Sequence, residues 1–411
     1  MSRIADLSLA PAGEVKIKWV ERNMPVLRDL GEEFRRTRPF EGLRVALSVH
    51  LEAKTAYLCR VLEMGGAEMY VTGSNPLSTQ DDVAAALAAG GMNVFALYGC
   101  TMQEYEECLC SVLEIAPNII IDDGGDLVTL MHTKYAELIP QVIGGCEETT
   151  SGIHRLKIMA RDNALRFPMV MVNEADCKHM FDNRYGTGQS AWDGIMRTTN
   201  LVVAGKYVVI CGYGWCGKGM ALRGKGLGAK IIVTETDPIR ALEAVMDGYE
   251  VMPMAEAAKI GDIFCTVTGC SGVITAEHFP VMKDGAILSN AGHFDVEVDM
   301  AGLEKMAVEK YEARHNIQAY VLPNGKTLYT IAEGRLVNLA AADGHPAEIM
   351  DMSFAIQALG AEYLVKNRGR LPNTVISFPR ELDEAVAARK LKAMGVSIDT
   401  LSCEQKEYLG V

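Results

Sequence analysis

Residues 206–219 read KYVVICGYGWCGKG, a short apolar run followed at once by glycine-x-glycine-x-x-glycine. The apolar run predicts a buried strand, and Gly212, Gly214 and Gly217 predict the turn into a helix. In that context the first glycine permits a tight turn and the second lets backbone N–H groups approach a pyrophosphate. The third lets the helix pack closely on the strand, its N-terminus toward the phosphates. The next apolar run, IIVTE, ends on Glu235, 23 positions after Gly212, where an acid accepts from a ribose diol. A carboxylate there repels a 2′-phosphate, so the expected cofactor is NAD rather than NADP. A glycine turn without a ligand is the plainer alternative.

Outward from this stretch, apolar runs alternate with helix-like segments in both directions, the mark of parallel α/β architecture. Downstream, strands are predicted at Lys206–Cys211, Lys230–Thr234, Ile263–Val267, Ala286–Ser289 and Thr327–Ile331, then a polar strand-to-loop stretch at Arg335–Ala341. Upstream, they are predicted at Leu43–Ser48, Glu68–Thr72, Asn93–Leu97, Asn118–Ile121 and Met169–Val172. Helices are predicted at Ala53–Met64, Asp81–Ala89, Met102–Ile115 and Ala347–Lys366, with a charged one from Glu381 to Met394. The fold class is therefore α/β with two doubly wound parallel-sheet domains. The two series meet near Asn183–Ser190, a polar, glycine-containing stretch.

A chain of 411 residues is long enough for two cores. The net charge of −13 argues against a nucleic-acid surface, which needs a basic face. No stretch is apolar enough for a signal peptide or a membrane span, so a cytoplasmic location and no membrane partner are expected. The eleven cysteines include no CxxC pair and the eight histidines no HExxH-like spacing, so neither a disulfide framework nor a metal site is expected.

Ligands of open parallel sheets bind beyond the carboxyl ends of the strands. At those ends the first series carries His50, Asp122 and Asp123, and Asn173, with Lys178 and Asp182 close behind and Glu148 in the loop EETTSG. Singly each has a plain reading: a satisfied histidine, a turn aspartate, a solvated lysine. Together they form a rim suited to acid–base work on a polyhydroxylated substrate.

Longer strings carry a resemblance that spacing does not supply: IDDGGDL (121–127), EETTSGIHRL (147–156), FDNRYGTGQS (181–190), GYGWCGKG (212–219), NAGHFDVE (290–297) and EGRLVNLAAADGHP (333–346). With these the whole chain resembles the S-adenosylhomocysteine hydrolase family. The resemblance implies a discontinuous substrate domain, residues 1–185 and 347–411 with the C-terminal helices, around an inserted Rossmann NAD domain, 186–346, in a homotetramer. It implies reversible hydrolysis of an S-nucleosyl-homocysteine to homocysteine and a nucleoside, by transient 3′-oxidation, elimination and water addition. Lys178 and Asp182 are then expected on the ribose hydroxyls, Lys178 as base, with Glu148 beside them and Asn173 ordering Lys178. Asp123 and His50 are expected to move protons at C4′ and C5′, and His293 and His345 to line the substrate cleft. Thr149, Thr150, Ser151, Asn183, Asn290 and Asn338 match positions that hold NAD. A dehydrogenase that releases its oxidised product and a non-catalytic NAD-binding relative are the rival readings; all of Asp123, Glu148, Lys178 and Asp182 are present, against the second.

Three departures matter. The family pattern H-x-T-x-E-T reads His50-Leu-Glu52-Ala-Lys54-Thr55 here. Glu52 replaces a hydroxyl and Lys54 a carboxylate that read adenine. Hypoxanthine offers N1–H as a donor and O6 as an acceptor, which an acid and an ammonium complement, so S-inosylhomocysteine is the expected substrate. Asp343 adds a second expected acceptor. The alternative is an exposed Glu52–Lys54 pair at a helix start, with adenine read by backbone and an S-adenosylhomocysteine hydrolase as the outcome. Second, the chain ends QKEYLGV, without the longer tail of many relatives, from which more exchangeable NAD is expected. Third, Thr187 stands where many relatives have a cysteine.

Overall fold

The computed structural model describes residues 2–410. The first sheet is built from β1 (Arg44–Ser48), β2 (Glu68–Thr72), β3 (Asn93–Phe95), β4 (Ile119–Asp122), β5 (Gly144–Glu147) and β6 (Met169–Met171). The second contains β7 (Tyr207–Cys211), β8 (Lys230–Thr234), β9 (Glu250–Val251), β10 (Ile263–Thr266), β11 (Ile287–Asn290), β12 (Glu309–Arg314), β13 (Ile317–Val321) and β14 (Thr327–Ile331). The chain then returns to the first sheet as β15 (Val375–Ser377), parallel to β6.

The strand orders are β15-β6-β5-β4-β1-β2-β3 and β12-β13-β14-β11-β10-β7-β8-β9. All pairings are parallel except β12 with β13 and β13 with β14. Each order reverses once, between β1 and β4 in one sheet and between β7 and β10 in the other, and such reversals open the crevice in which ligands bind. The double winding expected from the sequence is thus observed.

Strand residues alternate between two cores, as a period of two requires. Val45, Leu47, Ile119 and Ile121 enter one core with the N-terminal helices Ala10–Asn23 and Pro25–Thr37 and the helix Ala347–Lys366. Ala46 and Ile120 face the other, with Leu109, Leu127 and Leu156. The carboxylate of Asp351 caps Pro25–Thr37 through Val26 N–H and Leu27 N–H (3.2 and 2.8 Å) and pairs with Lys390 Nζ at 2.9 Å. Three distant segments are fastened at that point.

Several boundaries differ from the sequence reading. β5, with sequence GGCE, was not foreseen: its glycines carry no apolar signal, and a Cβ on Gly145 would lie 2.7 Å from Ile120 O. β15 and the hairpin β12–β13 were missed too; β12 is exposed along its whole length, so no apolar run marks it. Arg335–Ala341 is not a strand but a turn and the short helix Val337–Ala340, because Ala332 and Glu333 turn left-handed (φ 50° and 54°) and break the extension of β14. Asn183–Ser190 is helical: a π-helix, His179–Gly186, runs directly into the helix Thr187–Thr199, whose Trp192 Nε1 donates to Met220 O at 3.0 Å. No described helix is long and apolar enough to cross a membrane.

Candidate active site

His50, two residues beyond β1, and Asp123, one beyond β4, stand at the first reversal. His50 Nδ1 lies 2.7 Å from Ser78 Oγ and Nε2 3.4 Å from Asp123 Oδ2. Ser74 Oγ donates to that same oxygen at 2.9 Å. Asp123 Oδ1 is buried without a hydrogen-bond partner among the described residues and faces His293 Nδ1 at 3.8 Å. Burial drives the His50 imidazole down to about 4, so it is neutral at pH 7 and able to accept a proton. Burial works to raise Asp123, but His50, His293 and the Ser74 hydroxyl outweigh it and hold the carboxyl low. The ligand-type atoms of His50, Asp123 and His293 lie within 4.8 Å of one another. Residues 73, 170 and 243 positions apart cannot reveal that grouping by spacing; here we read it as a proton-handling cluster.

Glu148, Lys178 and Asp182 form the second group. Lys178 Nζ donates to Asn173 Oδ1 and Asn183 Oδ1, both at 2.9 Å, and lies 3.5 Å from Glu148 Oε1 and 3.4 Å from Asp182 Oδ2. Asn173 Nδ2 donates to Thr150 Oγ1 at 2.9 Å. Asn183, expected at the cofactor, orients Lys178 in this structure. Burial alone would lower the lysine, but Asp182 and Glu148 outweigh it and keep the ammonium protonated. In this structure Lys178 stands as a hydrogen-bond donor, where the resemblance implies a base. Burial, partly offset by Lys178, pushes Glu148 up to about 7, within reach of neutrality. Asp182 is held low by Lys178 and His345 against its burial, and His345 Nδ1 lies 2.6 Å from Asp182 Oδ1.

Sequence reasoning missed the residues behind these groups. Ser353 Oγ donates to Asp182 Oδ2 at 2.7 Å and Gln357 Nε2 to Glu148 Oε2, both from the helix Ala347–Lys366. Asp383 accepts from Asp176 N–H and Cys177 N–H (2.6 and 3.0 Å), capping the segment that carries Lys178. The available signal was polar residues, Asp351, Ser353 and Gln357, inside an otherwise apolar helix.

The dinucleotide turn lies at the second reversal. Gly212 has φ 106°, and a Cβ on Gly217 would lie 2.0 Å from Gly212 O, so that position accepts no side chain. Gly214 is the N-cap of the helix Trp215–Gly226 without a side-chain cap, leaving its first N–H groups for a ligand. Glu235 accepts from Tyr213, Thr236 and Asp237 N–H at 2.7, 2.7 and 3.1 Å, which orders its carboxylate at the end of β8. Asn338 Oδ1 is buried without a partner while its Nδ2 donates to Ser190 Oγ at 3.1 Å. Ser151 Oγ, from the first body, lies 4.0 Å from where Gly269 would carry a Cβ. These residues fit NAD. Thr149 is occupied as the cap of Thr150–Arg161, leaving Thr150 and Ser151 the more open hydroxyls. Asn290, expected at the cofactor, has its side chain engaged locally, donating to the carbonyls of Gly292, Phe294 and Gly334 and accepting from Thr266 Oγ1 and Gly292 N–H. Its side chain shapes the loop that presents His293.

Glu52 caps the helix Ala53–Met64 through Lys54 N–H and Thr55 N–H (3.1 and 3.4 Å). Lys54 Nζ lies 2.6 Å from Glu52 Oε2 and donates to Asp343 O at 3.0 Å. The pair is at a helix start, as the alternative reading had it, but buried, with Glu52 5% and Lys54 6% exposed. Asp343 is a correction: its carboxylate points to solvent, 3.6 Å from Arg197, and only its carbonyl enters the site. Thr55 Oγ1 donates to His50 O at 2.6 Å and so sets the His50 turn.

The family model described as S-adenosyl-L-homocysteine hydrolase matches residues 1–134, and that for the NAD binding domain of the same enzyme matches 183–344. The adenosylhomocysteinase of Thermococcus kodakarensis is 58% identical, over 99% of this chain and 96% of its own. The S-inosyl-L-homocysteine hydrolases of Methanococcus maripaludis and Methanocaldococcus jannaschii are 58% and 56% identical, each over 100% of this chain and 98% of theirs. With the dinucleotide turn and the two wound sheets in place, these matches make the chain an NAD-dependent enzyme of the S-adenosyl-L-homocysteine hydrolase family.

Proposed function

We propose that this enzyme cleaves S-inosyl-L-homocysteine, in preference to the adenosyl compound, to L-homocysteine and inosine, reversibly. The observation that carries the purine preference is the buried Glu52–Lys54 pair. Lys54 is a donor only, and two of its three N–H bonds go to Glu52 and the Asp343 carbonyl. The third suits the O6 acceptor of hypoxanthine, while Glu52 Oε1, held only by a long bond from Thr55 N–H, suits N1–H. Against adenine the ammonium meets an amino group and the carboxylate a lone pair. Each such mismatch costs about 1–3 kcal/mol, and more for a charged group. Relatives at equal identity carry both names, so the names do not choose between the purines.

In this reading residues 1–185 and 347–411 hold the substrate and 186–346 the cofactor. NAD, when bound, would take the 3′-hydride, turning the 3′-hydroxyl into a ketone, and give that hydride back at the end. Asp182 and the Lys178 ammonium grip the ribose hydroxyls, and Glu148 takes the proton from the 3′-oxygen. The ketone acidifies C4′–H, which Asp123 Oδ1 removes, and homocysteine thiolate leaves C5′ with its proton supplied from the His50–Asp123 cluster. Water adds to C5′ of the enone, its proton going to the same cluster while that cluster returns one to C4′; Glu148 gives its proton back to the 3′-oxygen as the ketone is reduced, so the net change is thioether plus water to thiol plus 5′-alcohol. A homotetramer is in keeping with the exposed apolar stripe Ile239, Leu242, Val245 and Met246 on the helix Pro238–Met246.

The test replaces the pair by the family's residues, Glu52→Thr with Lys54→Glu. The ratio of kcat/KM for the inosyl over the adenosyl compound is expected to fall at least tenfold. An unmoved ratio contradicts the assignment.

A further inference from the structure

Glu147 has no part in the reaction as described, yet it is among the most enclosed acids of the site. It ends β5 and is fully buried. Its Oε1 accepts three bonds: from Gly124 N–H at 2.9 Å, Thr149 N–H at 2.9 Å and Thr149 Oγ1 at 2.8 Å. Gly124 follows Asp123, and Thr149 follows Glu148. One carboxyl oxygen therefore ties the turn that carries one reacting acid to the loop that carries the other. Thr149 also caps the helix whose first turn, Thr150 and Ser151, faces the cofactor body, and Thr150 holds Asn173, which holds Lys178. Glu147 is thus the common support of both groups.

Its other oxygen, Oε2, is buried with no partner among the described residues. A bare carboxylate oxygen in that position is costly, and the charged groups acting most on it, Asp122 and Asp123, are themselves acids. Burial and these neighbours push Glu147 well above the ordinary range. Asp122, equally buried, is otherwise satisfied by Asp123 N–H and Val128 N–H at 3.1 and 2.9 Å. The space is also closed: a Cβ on Gly152 would lie 2.1 Å from the Glu147 carboxyl carbon.

We propose that Glu147 is a positioning residue that works as a neutral acid, fixing Asp123 and Glu148 at their working separation without adding a third negative charge to the site. This rests on the roles given above to Asp123 and Glu148. It demands an acceptor of glutamate length and no ionisation. Two variants of the NAD-loaded enzyme separate these demands, read by thiol release with kcat and KM resolved. Glu147→Gln, neutral and of equal length, is expected to lose less than about fivefold in kcat. Glu147→Asp, still an acid but one methylene short, is expected to lose more than about tenfold in kcat with KM little changed.

Loss of more than tenfold in Glu147→Gln, or its failure to fold, overturns the neutral role. A Glu147→Asp enzyme as fast as the parent overturns the positioning role. Asp123→Asn, measured alongside, keeps the readings apart: if it stays active, the assignment of Asp123 fails on its own account, whatever the Glu147 variants do.

Discussion

Lys178 and Glu148 lie 3.5 Å apart, both buried, and the charges around them decide which one moves a proton. Two carboxylates hold the lysine protonated, while burial keeps Glu148 near neutrality. As the base, Glu148 must be ionised, so kcat/KM is expected to rise as pH increases through about 7 and to level above it. Glu148→Gln is expected to lose about 10²–10⁴-fold in kcat, the usual worth of general base catalysis. A steady-state pH profile that is flat between 6 and 8 would sink this assignment. At this scale the reading from sequence reached Asp123, Glu148, Lys178 and Asp182, because strand ends and long motifs both marked them. It placed the Asp343 carboxylate in the site, whereas loop backbone turns it to solvent, which no spacing rule reports. Ser74 and Ser78 were beyond reach for another reason: their partners Asp123 and His50 lie on other segments.

Helices and strands hold these residues through close backbone approaches and caps. Gly217→Ala places a methyl 2.0 Å from Gly212 O, so the helix Trp215–Gly226 must withdraw from β7. NAD affinity, followed by fluorescence titration, is expected to fall at least tenfold; unchanged affinity would refute the close approach. Asp383 acts over a longer sequence distance, capping the Lys178 segment from the helix Arg380–Ala393. Asp383→Ala leaves the buried Cys177 N–H and the part-buried Asp176 N–H without their acceptor, at about 1–3 kcal/mol, and kcat is expected to drop about tenfold. If only the melting temperature moves and kcat does not, the cap is merely structural. Elements with apolar periodicity were legible in the chain, and Ala53–Met64, Asp81–Ala89 and Ala347–Lys366 match their predicted bounds. β5 and β12 were not, since one is made of glycines close to neighbours and the other faces solvent.

Across the whole molecule, the chain crosses to its second sheet after the helix Thr187–Thr199 and comes back through Ala347–Lys366, which carries Ser353 and Gln357 to the first sheet's rim. The reversals of both strand orders followed from the alternation of runs, but the return of β15 to the edge beside β6 did not, because VIS is too short to announce a strand. Residues 392–410 are exposed throughout, and the helix Cys403–Leu409 is held by its own capping box, Ser402 with Gln405. Deleting the chain beyond Gly395 is therefore expected to leave the melting temperature of the isolated subunit within about 2 °C. A larger drop would show that this tail supports the body.

The most direct test of the account is the free thiol released from S-inosylhomocysteine and from S-adenosylhomocysteine by the NAD-loaded enzyme, measured in parallel. A kcat/KM at least tenfold higher for the inosyl compound is the expected result. Equal or faster release from the adenosyl compound would contradict the reading of Glu52 and Lys54 as a hypoxanthine site.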